Sequence, residues 1–169
     1  MNGGETTADQ AIRVLDALET AGCRVSLEGG WGVDALAGRQ TRPHRDLDVD
    51  IDVEQEARVL AVLEKLGYRV ESDWRPNRVE LVAADGSRVD VHPLAFDADG
   101  DGVQTGPAGE RYVYPAASFI VGTIAGRPVG CLTAVQQIAW HGGYELRGVD
   151  HADLVVLREL TGNGGGSGA

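Results

Sequence analysis

Gly29-Gly30-Trp31-Gly32-Val33-Asp34-Ala35-Leu36 and, eight residues on, His44-Arg45-Asp46-Leu47-Asp48-Val49-Asp50-Ile51-Asp52-Val53 are the two runs on which the fold turns. In the second, carboxylates and aliphatic side chains alternate strictly. Successive side chains of an extended chain point to opposite faces, so Asp46, Asp48, Asp50 and Asp52 share one face and Leu47, Val49, Ile51 and Val53 the other. The pattern predicts a half-buried strand over residues 46–53. The first run follows Glu28 and leads, through two glycines, from a short strand at 24–27 into a helix at 31–37 closed by Gly38.

On the N-terminal side, Ile12, Val14, Leu15, Leu18 and Ala21 recur at helical spacing over residues 9–21, with Thr6 or Thr7 as the cap. On the C-terminal side, Val59, Leu60, Val62, Leu63 and Leu66 give another helix its apolar stripe, ended by Gly67. Strands are predicted at 68–74, 78–83 and 88–94, the last two joined at Asp85-Gly86, and a further hairpin at 120–124 and 128–132 turns at Gly126. Thr133 caps a helix with Val135, Ile138 and Ala139 inward, and residues 150–160 form a last helix carrying Leu154, Val155 and Leu157. No internal repeat is present. Helices interspersed with a mixed, mainly hairpin-connected sheet define an α+β class: one domain over 1–160, then a flexible glycine-rich tail at 161–169.

The 169 residues suffice for one core, and 43% hydrophobic with 24% charged residues exclude a disordered, fibrous or membrane-spanning chain. A net charge of −11 repels phosphate backbones and argues against a nucleic-acid partner, so any anionic ligand must be held locally. Cys23 and Cys131 stand alone, without zinc spacing, and read as buried thiols in a reducing cytoplasm. The N-terminal residues resemble no secretory leader, and no apolar run is long enough to cross a membrane.

Like charges spaced about 7 Å along one strand face repel unless a cation lies among them, which points to a divalent metal; a solvated acidic face is the alternative. Neighbours such as Asp46 and Asp48 can share one hard cation, whereas Asp46 and Asp52, roughly 20 Å apart, cannot. Asp90, in Val89-Asp90-Val91-His92-Pro93, adds a third carboxylate if its strand pairs beside residues 46–52. Such a trio holds Mg²⁺ and accepts a proton from an attacking hydroxyl. Gly29 and Gly30 let backbone N–H groups approach a phosphate at a positive helix end, with Arg39, Arg42 and Arg45 as candidate phosphate clamps. Residues 97–102 imitate the start of a calcium loop but lack the entering helix and the closing Glu, and read as an acidic surface loop. His44 and His92 read as hydrogen-bonding partners, His141 and His151 as structural or supporting a substrate pocket, and Trp140 as core.

The two opening runs, with Gly38-Arg39-Gln40-Thr41-Arg42 between them, resemble the signature of small antibiotic nucleotidyltransferases of the polymerase-β-like superfamily. Among these the chain is most similar to the lincosamide nucleotidyltransferases, through Trp74, Pro76, Arg78-Val79-Glu80-Leu81, Asp90-Val91-His92-Pro93, His141-Gly142-Gly143-Tyr144 and Asp150-His151, over about residues 9–160. Aminoglycoside 2″-nucleotidyltransferases share less after residue 70. The resemblance implies a polymerase-β-like fold in which Asp46 and Asp48 are the paired metal ligands. It makes Asp90 the third ligand and general base, and Gly29 and Gly30 the triphosphate site. It further implies transfer of a nucleoside monophosphate, AMP from Mg-ATP, to a hydroxyl of a lincosamide, with release of pyrophosphate and resistance to the drug. The acceptor pocket would be formed partly by the C-terminal half and completed by a second copy in a homodimer. An aminoglycoside nucleotidyltransferase, or a non-catalytic nucleotide-binding or antitoxin module, are the competing readings.

Overall fold

The computed structural model describes residues 4–141 and 148–162. Helix α1 (Ala8–Thr20) begins at a capping box in which Thr7 accepts from the Gln10 backbone and Gln10 accepts from that of Thr7. Thr6 does something else. Buried, it donates from Oγ1 to the Arg45 carbonyl at 3.0 Å and accepts from the Arg88 amide at 3.0 Å, pinning the starts of two central strands.

Then follow β1 (Val25–Glu28), α2 (Gly29–Ala37), β2 (Leu47–Asp52), α3 (Glu56–Lys65), β3 (Arg69–Trp74), β4 (Arg78–Val82) and β5 (Arg88–Phe96). They are followed by β6 (Gly102–Thr105), β7 (Arg111–Tyr114), β8 (Phe119–Ile124), β9 (Arg127–Leu132), α4 (Ala134–His141) and α5 (Gly148–Gly162). The main sheet runs β3-β4-β5-β2-β1-β9-β8, and the β6–β7 hairpin is attached to the end of β5. Strands β2 and β5 are parallel, which sends the intervening chain through α3 and the β3–β4 hairpin, whereas β1 meets β2 antiparallel. The fold is α+β, as the alternation of elements predicts.

One face of the sheet carries the main core. Leu47, Val49 and Ile51 of β2 and Val91 of β5 are wholly inaccessible, clustered with Leu18 of α1 and Val59 and Leu63 of α3. A smaller cluster of Leu94, Tyr114 and Leu132, with Phe96, Phe119 and Trp140 against it, closes the other side. β3 is an outer edge, exposed along most of its length, with Glu71 paired to Arg88 and Asp73 to Arg75.

Several expectations are corrected. β2 is not half-buried in the simple sense, because Asp50 on its acidic face is 2% exposed; Val53 lies in a 3-10 turn and is 41% exposed. The acidic stretch from Asp97 is a turn in which Asp97 Oδ1 accepts from the amides of Asp99 and Asp101, and it leads into the β6–β7 hairpin, for which the sequence reading made no prediction. Helix α4 turns Gln137 and His141 inward and leaves Val135 73% exposed, because the Gln137 amide donates to the carbonyls of Gly32 and Leu132. In α5, Asp150 and Asp153 are buried beside Leu154 and Leu157 while Val155 is exposed. That helix runs to Gly162; residues 163–169, like Gly142, Gly143 and Tyr144, lie outside the described residues. Among the described residues no helix is long and apolar enough to cross a membrane.

Candidate active site

Strand register sets a row of acids across the sheet. Glu28 of β1 lies opposite Asp48 of β2, Asp48 opposite Asp90 of β5, and Asp90 opposite Glu80 of β4. His92, two residues beyond Asp90 and therefore on its face, enters the row. Its Nε2 lies 3.2 Å from Asp48 Oδ1 and 3.6 Å from Asp90 Oδ2, and its Nδ1 lies 3.5 Å from Glu28 Oε1. The β6–β7 hairpin supports this side: Gln104 Nε2 is 3.1 Å from His92 Nδ1, and the Tyr114 hydroxyl lies 3.0 Å from Glu28 Oε2 and 2.9 Å from Gln104 Oε1. At the other end, Arg78 Nη1 donates to Asp90 Oδ2 at 2.7 Å and to Glu80 Oε1 at 3.1 Å.

Crowding acids in a place water hardly reaches shifts their protonation. Burial, reinforced by Asp46 and Asp90 and opposed by the His92 hydrogen bond, pushes the Asp48 carboxyl up to about 7. Burial and then the Glu28 charge push Asp50 well above the carboxylate range. Burial disfavours the His92 imidazolium, yet Glu28, Asp48 and Asp90 together outweigh it and hold His92 well above its usual value.

This row forms part of the wall of a cavity of about 960 Å³, to which α2, α4, α5 and the β6–β7 hairpin also contribute. At its rim the glycine turn cannot carry a side chain. Gly29 has φ +63°, and a Cβ there would lie 2.2 Å from Asp48 Oδ2; a Cβ on Gly30 would lie 2.3 Å from His44 Nδ1 and 2.6 Å from Arg42 Nη2. Asp34 orders this rim, accepting from Thr41 Oγ1 at 2.5 Å and meeting His44 Nε2 at 2.5 Å. Arg42 is held by α5, with Nε and Nη2 each 2.8 Å from a separate oxygen of Asp153.

Of the residues singled out in the sequence, Asp46, Asp48, Asp90, Gly29, Gly30, Arg42 and Arg45 line this one cavity; Arg39 is exposed and outside its lining. Donor atoms of Asp48, Asp90 and His92 lie within 4.8 Å of one another, a set that does not include Asp46. Asp90 Oδ1 is buried without a hydrogen-bond partner. Two carboxylates with an uncommitted oxygen fit a hard divalent cation. Sequence reasoning gave no role to Glu28, Gln104 or Tyr114. Trp140, read as core, packs against the smaller core cluster and also lines the cavity, 5.0 Å from Tyr114 and edge-on 5.9 Å from Tyr112. Cys23 and Cys131 are buried, and burial pushes the Cys131 thiol up to about 11.

A nucleotidyltransferase-type sheet with paired acids under a glycine turn is the class that fold and site define. Residues 10–157 match the aminoglycoside-2″-adenylyltransferase family, and the chain belongs to it; these are antibiotic-modifying nucleotidyltransferases. A lincosamide resistance protein of Staphylococcus haemolyticus is 35% identical over 161 residues, covering 95% of this chain and all of that one. A 2″-aminoglycoside nucleotidyltransferase of Escherichia coli is 31% identical over 130 residues, 76% of this chain and 68% of its own. Among solved structures, the lincomycin-bound lincosamide adenylyltransferase LnuA superposes with a TM-score of 0.85 at 34% identity, over 93% of this chain and 99% of that one. The aminoglycoside enzyme ANT(2″)-Ia, with adenylyl-2″-tobramycin, shares the fold at a TM-score of 0.74 and 21% identity, over 93% of this chain and 90% of that one.

Proposed function

We propose that the protein transfers AMP from Mg-ATP to a hydroxyl of a lincosamide, releasing pyrophosphate and inactivating the drug. The observation that carries the substrate class is end-to-end likeness to a lincosamide resistance protein, which extends through α4 and α5, the elements that wall the cavity on its C-terminal side. The aminoglycoside reading ranks second, because likeness to those enzymes covers less of both chains.

In this reading Asp46, Asp48 and Asp90 hold Mg²⁺, with His92 hydrogen-bonded behind Asp48. Bound there, the ion offsets the charge of the triphosphate and polarises the α-phosphate. Gly29 and Gly30 bring the N-terminal amides of α2 against the phosphates, and Arg42, fixed by Asp153, adds a guanidinium on the same side. Asp90 would take the proton on a carboxylate oxygen as the acceptor oxygen bonds to the α-phosphorus. The α-phosphorus bond to the bridging oxygen breaks, and pyrophosphate leaves with its electron pair.

The enzyme acts in the cytoplasm, where ATP is available, as a homodimer; light scattering with and without substrate checks the assembly. The substrate assignment is tested by incubation with ATP, Mg²⁺ and a panel of lincomycin, clindamycin, kanamycin and gentamicin, followed by mass spectrometry. One AMP added to a lincosamide is expected. AMP on an aminoglycoside alone reverses the ranking, and no adduct on any drug refutes both.

A further inference from the structure

Beside His92, the acidic row holds a second cationic side chain, Arg78, at its solvent rim. Its Nη1 lies 2.7 Å from Asp90 Oδ2 and 3.1 Å from Glu80 Oε1, and its guanidinium carbon stands 4.5 Å over the Trp74 ring. The three parts differ in exposure: the Asp90 side chain is 5% exposed, whereas that of Arg78 is 36% exposed and Trp74 47%. A fixed acid is therefore neutralised by a long side chain at the solvent rim, seated on a ring that holds it by cation–π attraction without closing off its exit. A divalent ion bound by Asp48 and Asp90 and a guanidinium bound to Asp90 draw on the same negative charge, and two cations that close repel.

We propose that Arg78 is a resident counter-cation: stacked on Trp74 and paired to Asp90 and Glu80, it stands in for the divalent ion in the ligand-free protein and gives up Asp90 when the ion enters. The inference rests on Asp48 and Asp90 being the ion-binding carboxylates. Two properties follow. The free protein binds the bare ion weakly, because entry must break the Arg78–Asp90 pair. The ion arriving with a nucleotide meets less opposition, since the released guanidinium can pair with a phosphate oxygen in the same cavity.

The test is Mn²⁺ binding to the nucleotide-free protein, read from the electron paramagnetic resonance signal of the free ion. Arg78→Gln is expected to tighten Mn²⁺ binding about tenfold, the scale of one charge-assisted hydrogen bond. Arg78→Lys, which keeps the charge, should stay near wild type. Trp74→Leu, which loosens the seat alone, should tighten binding about threefold. Unchanged or weaker binding in Arg78→Gln overturns the proposal and makes Arg78 a brace for Asp90. If Arg78→Gln does not fold by circular dichroism, Trp74→Leu decides, and no tightening there overturns it. Asp48→Asn and Asp90→Asn run beside these. If both bind Mn²⁺ as wild type does, the ion site itself is elsewhere, a failure distinct from one in which binding needs both acids but ignores Arg78.

Discussion

The two faces of β2 differ in burial as well as in chemistry, the acidic one buried at Asp50 and partly open at Asp48 and Asp52. Leu47, Val49 and Ile51 are wholly inaccessible among aliphatic neighbours, where contact is non-directional and any well-shaped hydrocarbon serves. On the other face Asp50 is 2% exposed with neither oxygen hydrogen-bonded, and burial, with Asp46 and Asp90 adding to it, pushes the Asp48 carboxyl up to about 7. A buried acid without partners costs stability, so the front of the strand is a burden that the back must carry. On the proposed function, one strand separates what makes the protein fold from what makes it act.

The sharpest way to break that contrast is Asp48→Asn. The amide keeps the shape but removes the charge, so turnover should fall about a thousandfold or more while thermal stability holds or rises. A folded variant with near-normal turnover would return the acidic face to mere surface. Ile51→Ala, three residues on and facing the other way, should show the converse: about 3 kcal/mol less stability by denaturant unfolding, with activity per folded molecule unchanged. Loss of activity in fully folded Ile51→Ala would show that the faces are coupled.

A smaller effect, about 2 kcal/mol, is expected for Asp153→Asn, which leaves Arg42 without its carboxylate. Burial alone would raise the Asp153 carboxyl, but hydrogen bonds from Arg42 and His141 hold it below the usual range. A depressed acid stabilises the fold above its unfolded value and loses that stabilisation as pH falls through its folded value. The wild-type advantage should therefore shrink below about pH 4. His141 has the opposite sign: its hydrogen bond to Asp153 raises it, so its share is lost as pH rises through the folded value. Melting curves of both proteins across pH check this, and an advantage that stays flat into acid would remove the pair from the account.

The back face was legible from alternation alone, as were Gly38 closing α2 and the turn at Asp85-Gly86, because each depends on a local pattern. The pairing of Asp48 with Asp90 entered the sequence reading only as a condition and through the family resemblance, since it joins residues 42 positions apart through a parallel register that no short window contains; the observed register meets the condition. The β6–β7 hairpin escaped because Val103-Gln104-Thr105 buries a glutamine where a strand pattern calls for an aliphatic residue. The same confusion hid the inner face of α4, where periodicity selects Val135 and the fold uses the amide of Gln137. Polar side chains buried for their hydrogen bonds look like surface in a sequence, and in this molecule they cluster around the cavity. The two short β-prone runs on either side of Gly106-Pro107-Ala108-Gly109 were the signal available for the hairpin.

The outer strand β3 has a consequence for how the molecule behaves in company. A free sheet edge is a template on which another chain can add and start a fibre. Here that edge presents Arg69, Glu71 and Asp73, with Arg75 and Arg88 paired across them, so an incoming strand would have to strip water from a line of fixed charges. Charge thus guards most of this edge against a further strand, although Val70 and Trp74 on the same strand are also exposed.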